Sequence, residues 1–168
     1  MKFSDAILDA TKTVMQADPK TVVFGLGVPD PKSIFGTTTG LADDFGPSRV
    51  FDIPLAENAM TGVAIGMAAQ GYKVLFVHQR LDFYLLAMDQ LVNTAAKWHM
   101  MYGGDTYAPI TIRLVVGRGW GQGPTHSQAL HSWFAHIPGL KVVMPSNPAD
   151  AKGLLIESIM GPNPVIFI

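Results

Sequence analysis

Short runs of consecutive apolar residues recur along this chain, separated by segments whose apolar residues fall at helical spacing. Thr21–Phe24, Val50–Asp52, Lys73–His78, Ile110–Val116, Lys141–Met144 and Val165–Ile168 read as strands. Phe3, Ile7, Leu8 and Val14 mark one face of an opening helix, and further helices are expected over Glu57–Gln70, Phe83–Tyr102, Ser127–His136 and Pro148–Met160. Gly71 stops the helix before it, and Gly103-Gly104 stops the long one. A strand that is apolar at successive positions, rather than at alternate ones, is buried on both faces. Strands of that kind alternating with helices specify an α/β fold, a three-layer sandwich with a mostly parallel central sheet.

A length of 168 residues without an internal repeat suits one domain, residues 1–168. Charged residues make up only 15% against 48% hydrophobic, below the usual charged share of about a quarter, so part of the surface is expected to meet another chain. The formal net charge of -1, with both signs scattered, leaves no basic stripe for nucleic acid and no polybasic face for a membrane. Runs such as Val74–Val77 are far too short to span a bilayer, and Met1–Thr13 is too polar for a signal peptide. With no cysteine, disulfides and thiolate metal sites are excluded, and a cytoplasmic location is expected.

Gly25–Gly46 is rich in Gly, Pro, Thr and Asp and reads as a long loop with one helical turn near Leu41–Phe45, placed to cover a site. Glu57 follows it at a strand-to-helix junction, where regular structure on both sides fixes a carboxylate. On the residues alone it is equally an acid in a first helical turn that complements the macrodipole. Gly62 and Gly66 each cost roughly 1 kcal/mol against alanine inside a helix. Close packing on the sheet or contact across a subunit boundary would offset that. The long helix, with Met88, Leu91, Val92, Ala95, Trp98 and Met101, is apolar on more than one face, as burial between subunits or in one core would require. The glycine-rich loop Gly117–Pro124 fits neither dinucleotide nor Walker spacing, so a nucleotide site is rejected. Arg118 and Trp120 are its reaching side chains. His131 and His136 step by five from His126, which scatters them around a helix rather than gathering metal ligands, and they are expected to be structural.

Three runs in one order carry a family resemblance: RVFDIPLAENAMTGVAIGMAAQG from Arg49, AMDQLVNTAAKW with MYGG, and GPTHSQALHSWFAHIPGLKVVMPSNPADAKGLL. Over about Arg49–Ile168 the sequence resembles the pyrimidine-binding domain of thiamine-diphosphate enzymes. The likeness is to beta subunits of 2-oxo acid dehydrogenases and to transketolase-type proteins.

The resemblance implies a thiamine-diphosphate-binding fold and a role for Glu57, which would share a proton with the pyrimidine and so favour the imino tautomer that deprotonates the thiazolium. The C2-carbanion, and the enamine derived from it, belong to decarboxylation of a 2-oxo acid and to two-carbon ketol transfer alike. Phe83 falls where the family stacks an aromatic ring on the aminopyrimidine, ordinary core packing being its other reading. Gln79 is a further candidate cofactor contact. His126, in Thr125-His126-Ser127-Gln128, matches the active-site histidine that would bond or protonate the substrate oxygen, the other reading being a loop or capping histidine. His78-Gln79-Arg80 departs from the apolar or small stretch usual in the dehydrogenase subunits. Arg80 would bind a carboxylate or phosphate of the substrate, or is a solvated charge at a strand end.

The resemblance covers half of a split site. The Gly-Asp-Gly run that supplies magnesium ligands in the family's diphosphate-binding domain is missing, since Gly103-Gly104-Asp105 lacks that pattern. Magnesium is therefore expected on a diphosphate-binding, alpha-type partner subunit, in a heterotetramer or larger hetero-oligomer. Gly161 stands where an acid is usual near a structural monovalent-cation site by Asn163-Pro164, and no metal is assigned to this chain. The further carboxy-terminal domain of the dehydrogenase subunits is expected to be absent, as in a split-gene subunit or a truncated piece. The expected function is that of a pyrimidine-binding subunit acting on a 2-oxo acid or a ketose. The alternative is a non-catalytic interaction or regulatory protein that retains the fold.

Overall fold

A computed structural model of the chain describes residues 1–31, 34–117 and 121–168. Six strands, β1 (Thr21–Phe24), β2 (Val50–Phe51), β3 (Lys73–Val77), β4 (Ile110–Arg113), β5 (Lys141–Val143) and β6 (Val165–Phe167), form one sheet in the order β2-β1-β3-β4-β6-β5. Every pairing is parallel, so the sheet is wholly rather than mostly parallel. The central register sets Val23 beside Leu75 and Phe24 beside Phe76, with Leu75 beside Thr111 and Phe76 beside Ile112.

The two-residue period of a strand sends alternate side chains to opposite faces. Val22, Phe24, Val74, Phe76, Ile110, Ile112 and Ile166 therefore face one layer of helices, and Val23, Leu75, Val77 and Phe167 the other. The first layer holds α3 (Glu57–Ala69), a helical run from Leu81 to Met101 and α6 (His131–Ala135), which contribute Ile65, Leu81, Tyr84, Leu91 and Phe134. The second holds α1 (Phe3–Ala17) and α7 (Pro148–Met160), which contribute Ile7, Val14, Met15, Leu155 and Ile159. The short α2 (Leu41–Phe45) lies in the long loop after β1 and buries Leu41.

Local chemistry sets several boundaries. Asn147 caps α7, its side-chain oxygen accepting from the Asp150 N–H at 2.9 Å, with Pro148 in the first turn where no N–H is needed. Arg49 gathers the α1–β1 connection against β2, donating to the carbonyls of Met15, Asp18 and Thr21 at 2.8 to 3.0 Å.

The long helix expected from Phe83 to Tyr102 begins at Leu81 and is not one α-helix. It joins α4 (Leu81–Tyr84), a 3-10 turn at Leu85–Ala87, a π turn at Gln90–Thr94, a 3-10 turn at Ala95–Lys97 and α5 (Trp98–Met101). The irregular part lies where another segment docks: Lys97 Nζ donates to the Pro138 carbonyl at 2.7 Å, and a Cβ on Gly139 would collide with the Ala96 carbonyl. The helix expected from Ser127 to His136 shortens to α6: the backbone at Ser127 is not helical, with φ at -144°, and the Gln128 N–H is satisfied by Asp82 outside any helix. The expected close packing of α3 holds in part. A Cβ at Gly62 would be 3.6 Å from Gln90 Oε1, whereas one at Gly66 would meet nothing within 4 Å. Gly66 therefore clears space for no element among the described residues.

Candidate functional site

In an open parallel sheet the crevice lies beyond the carboxyl ends of the strands, where the strand order reverses. Here that point lies between β1, whose connection leads to β2 on one side, and β3, whose connection leads to β4 on the other. Gly25 lets the two strand ends converge: a Cβ there would collide with the Val77 carbonyl oxygen. Beyond it, Asp52 Oδ1 accepts from the N–H of Gly27 at 2.9 Å and of Ile53 at 2.8 Å, so one carboxylate ties the ends of β1 and β2 together. Between these ends lies a cavity of about 310 Å³.

Glu57, Gln79 and Phe83 all line that cavity, with Leu26, Pro54 and Leu86 among its apolar walls. Glu57 is the first residue of α3 and no side chain caps the helix ahead of it, so its carboxylate sits where the macrodipole favours negative charge. Its backbone carbonyl accepts from Thr61 Oγ1 at 2.8 Å. Gln79 donates through Nε2 to the Leu26 carbonyl at 3.3 Å.

His126 does not line the cavity but touches its wall. Its ring meets Phe83 edge to face, centroids 5.4 Å apart, and its Nδ1 lies 3.0 Å from Thr125 Oγ1. Asp82 Oδ1 secures this turn by accepting from the Gln128 N–H at 3.2 Å and from Gln128 Nε2 at 2.8 Å. Arg80 is not a solvated charge. It is 8% exposed, donates to the Gln79 carbonyl at 2.8 Å and to Gln122 Oε1 at 2.7 Å, and lies over the Phe35 ring. Arg118 and Trp120 lie outside the described residues.

The sequence profile of the family described as "Transketolase, pyrimidine binding domain" matches residues 1–168. The chain belongs to the transketolase pyrimidine-binding domain family. It is similar to the 2-oxoisovalerate dehydrogenase subunit beta 2, mitochondrial, of Arabidopsis thaliana, at 43% identity over 99% of the chain and 47% of that protein. The 2-oxoisovalerate dehydrogenase subunit beta, mitochondrial, of Dictyostelium discoideum is 45% identical over 99% of the chain and 45% of its own length. The pyruvate dehydrogenase E1 component subunit beta of Rhizobium meliloti (strain 1021) is 40% identical over 100% of the chain and 36% of its own length. The chain thus spans about half the length, or less, of these relatives. A solved structure described as "Split gene transketolase, inactive beta4 tetramer" superposes with a TM-score of 0.78 at 19% identity, covering 98% of this chain and 49% of that one. That likeness is one of fold.

In this transketolase pyrimidine-binding domain, three site features escape a reading of motifs. His78 lines the cavity yet is 7% exposed, packed between the rings of Phe76 and Tyr84 at 4.2 and 4.8 Å. Its Nε2 has no hydrogen-bond partner among the described residues, and burial pulls its pKa down to about 3, so it stays neutral at neutral pH. The buried Tyr84 beside it is likewise held in its neutral form, burial pushing its pKa up. Asp82 and Gln122 are the other two, both holding the turns around the cavity in place. For His78 and Asp82 the signal available was a polar stretch directly after an apolar strand; Gln122, within the glycine-rich loop, carried none. His131 and His136 are exposed on or next to α6, and no cluster of metal-ligating side chains occurs among the described residues.

Proposed function

We propose that the cavity beside Glu57 takes the aminopyrimidine ring of thiamine diphosphate, and that the chain is the pyrimidine-binding subunit of a heteromeric enzyme acting on a 2-oxo acid. One observation carries this reading: Glu57, Gln79 and Phe83, contributed by separate elements, line a single cavity at the switch point of the sheet. An apolar cavity with few polar groups at its edge suits a flat heteroaromatic ring whose nitrogens lie on one side.

The bound cofactor supplies a carbon nucleophile for a substrate carbonyl. The chain's own residues would prepare it. The Glu57 carboxyl holds a proton toward the ring nitrogen from a fixed helix terminus. Phe83 offers its face to the ring, and His126 buttresses Phe83 while presenting an imidazole toward the substrate oxygen. Gln79, anchored through its amide nitrogen on Leu26, offers its side-chain oxygen to the cofactor. Arg80, with Gln122, is the candidate contact for a substrate carboxylate.

The relatives' names, beta subunits of 2-oxo acid dehydrogenases, favour a 2-oxo acid over a ketose. An alpha-type subunit would bring the diphosphate site with its magnesium, in a heterotetramer or larger assembly. Leu55 at 73% and Leu86 at 67% exposure stand at the cavity, an apolar rim that such a subunit would cover. Co-purification with the products of neighbouring genes, followed by calorimetry with thiamine diphosphate, tests this. Tight binding is expected only with the partner present; tight binding by the chain alone would contradict a divided site.

A further inference from the structure

A second cavity, of about 470 Å³, opens on the α1 side of the sheet and shares no lining residue with the Glu57 cavity. Its walls include Phe3, Ile7, Val115, Met144 and Phe167. One cationic group enters this apolar space: Arg113, the last residue of β4, which is 5% exposed. Its Nη2 donates to Thr37 Oγ1 at 2.7 Å, and the Thr37 hydroxyl in turn donates to the Ile34 carbonyl at 2.6 Å. A guanidinium has five N–H donors, and no other hydrogen bond of this side chain and no ion pair to it occurs among the described residues. The five residues outside the description, Lys32, Ser33, Arg118, Gly119 and Trp120, include no acid that could balance it.

Burying a charge without a counter-charge is costly, and groups so placed are ordinarily paired. Burial lowers the pKa of Arg113 to about 10, which still leaves it protonated at neutral pH. We propose that this cavity binds a short-chain carboxylate, with the carboxyl group on Arg113 and the alkyl tail against Phe3, Ile7, Val115 and Met144. The planar fork of a guanidinium matches a carboxylate in two parallel hydrogen bonds. An inorganic phosphate fits less well, because the lining holds no second cation and its walls are mostly apolar. The volume is within the range of small-molecule sites. The inference is independent of any cofactor at Glu57.

Butyrate titrated into the full chain, read by the NMR shift of the Arg113 side-chain N–H and by calorimetry, tests it. Saturable millimolar binding is expected, with 1-butanol and inorganic phosphate each weaker by roughly tenfold or more. Arg113→Gln should weaken butyrate by a similar factor. Met144→Trp, which fills the cavity from an exposed wall and leaves Arg113 in place, should do the same and covers the case in which the Arg113 variant fails to fold. Phosphate binding as tightly as butyrate, no saturable shift at Arg113, or unchanged affinity in Met144→Trp would each overturn the proposal.

Discussion

The rings of Phe83 and His126 meet edge to face, with centroids 5.4 Å apart and planes at 89°. The contact joins the start of the helical run after β3 to the turn that follows β4. It brings two candidate residues together, one in the cavity wall and one beside it. An aromatic pair of this geometry contributes about 0.5–1.5 kcal/mol beyond its buried area.

Removing that contact should be felt at the cofactor. Phe83→Ala in the assembled complex is expected to weaken thiamine diphosphate binding by roughly tenfold, while Phe83→Tyr retains most of the affinity. Calorimetry on both variants checks this, and equal loss in the two would point to disturbed packing instead.

Asp82 holds the turn that carries His126. Asp82→Ala leaves the Gln128 N–H without its acceptor, at a cost of about 1–3 kcal/mol. Urea denaturation should register the loss. Hydrogen exchange should quicken at the Gln128 amide and leave β3 and β4 amides protected.

His78 gives the fold a defined pH dependence. Its folded pKa is lowered to about 3 from an ordinary 6.5, so between these values the unfolded chain binds a proton that the folded one does not. Stability is complete above pH 6.5 and falls as the pH drops through that window, by up to about 1.4 kcal/mol per pH unit from this group. Denaturation midpoints between pH 4 and pH 7 should show a slope about one proton shallower in His78→Leu than in the wild type (about 1.4 kcal/mol per pH unit at most).

Two glycines should respond to alanine with opposite signs. Gly139 has φ +97° and its Cβ would strike the Ala96 carbonyl, so Gly139→Ala is expected to destabilise by about 1–3 kcal/mol. Gly66 is an exposed helical position with nothing near its would-be Cβ. Gly66→Ala should therefore stabilise the isolated chain by about 0.5–1 kcal/mol, as chemical denaturation would measure.

The three-layer architecture was legible because Thr21–Phe24, Lys73–Val77 and Val165–Phe167 are buried on both faces, which leaves continuous apolar runs in the sequence. Glu57 and Phe83 were singled out by the family resemblance, since an acid in a first helical turn and an aromatic ring near a helix start each have an ordinary structural reading on position alone. The composite helix was not legible, since apolar spacing cannot distinguish i→i+3, i+4 and i+5 hydrogen bonding within one run. Nor was the shortening of α6, where the turn at Ser127 leaves the helical region and Gln128 is held by Asp82 across a large separation in sequence. His78 reads as a polar residue at a strand end, and only the rings of Phe76 and Tyr84 show it to be buried. The solvated reading of Arg80 failed for a related reason: Gln122 and Phe35, which cover it, come from two other loops.

The role of Glu57 is open to direct measurement through exchange of the thiazolium C2 proton of thiamine diphosphate bound to the reconstituted complex, with and without Glu57→Gln. A slowing by roughly 10²-fold or more, with subunit association intact, is the expected result. Exchange at the wild-type rate in Glu57→Gln would contradict a proton-holding role for this residue and leave the fold without the chemistry proposed for it.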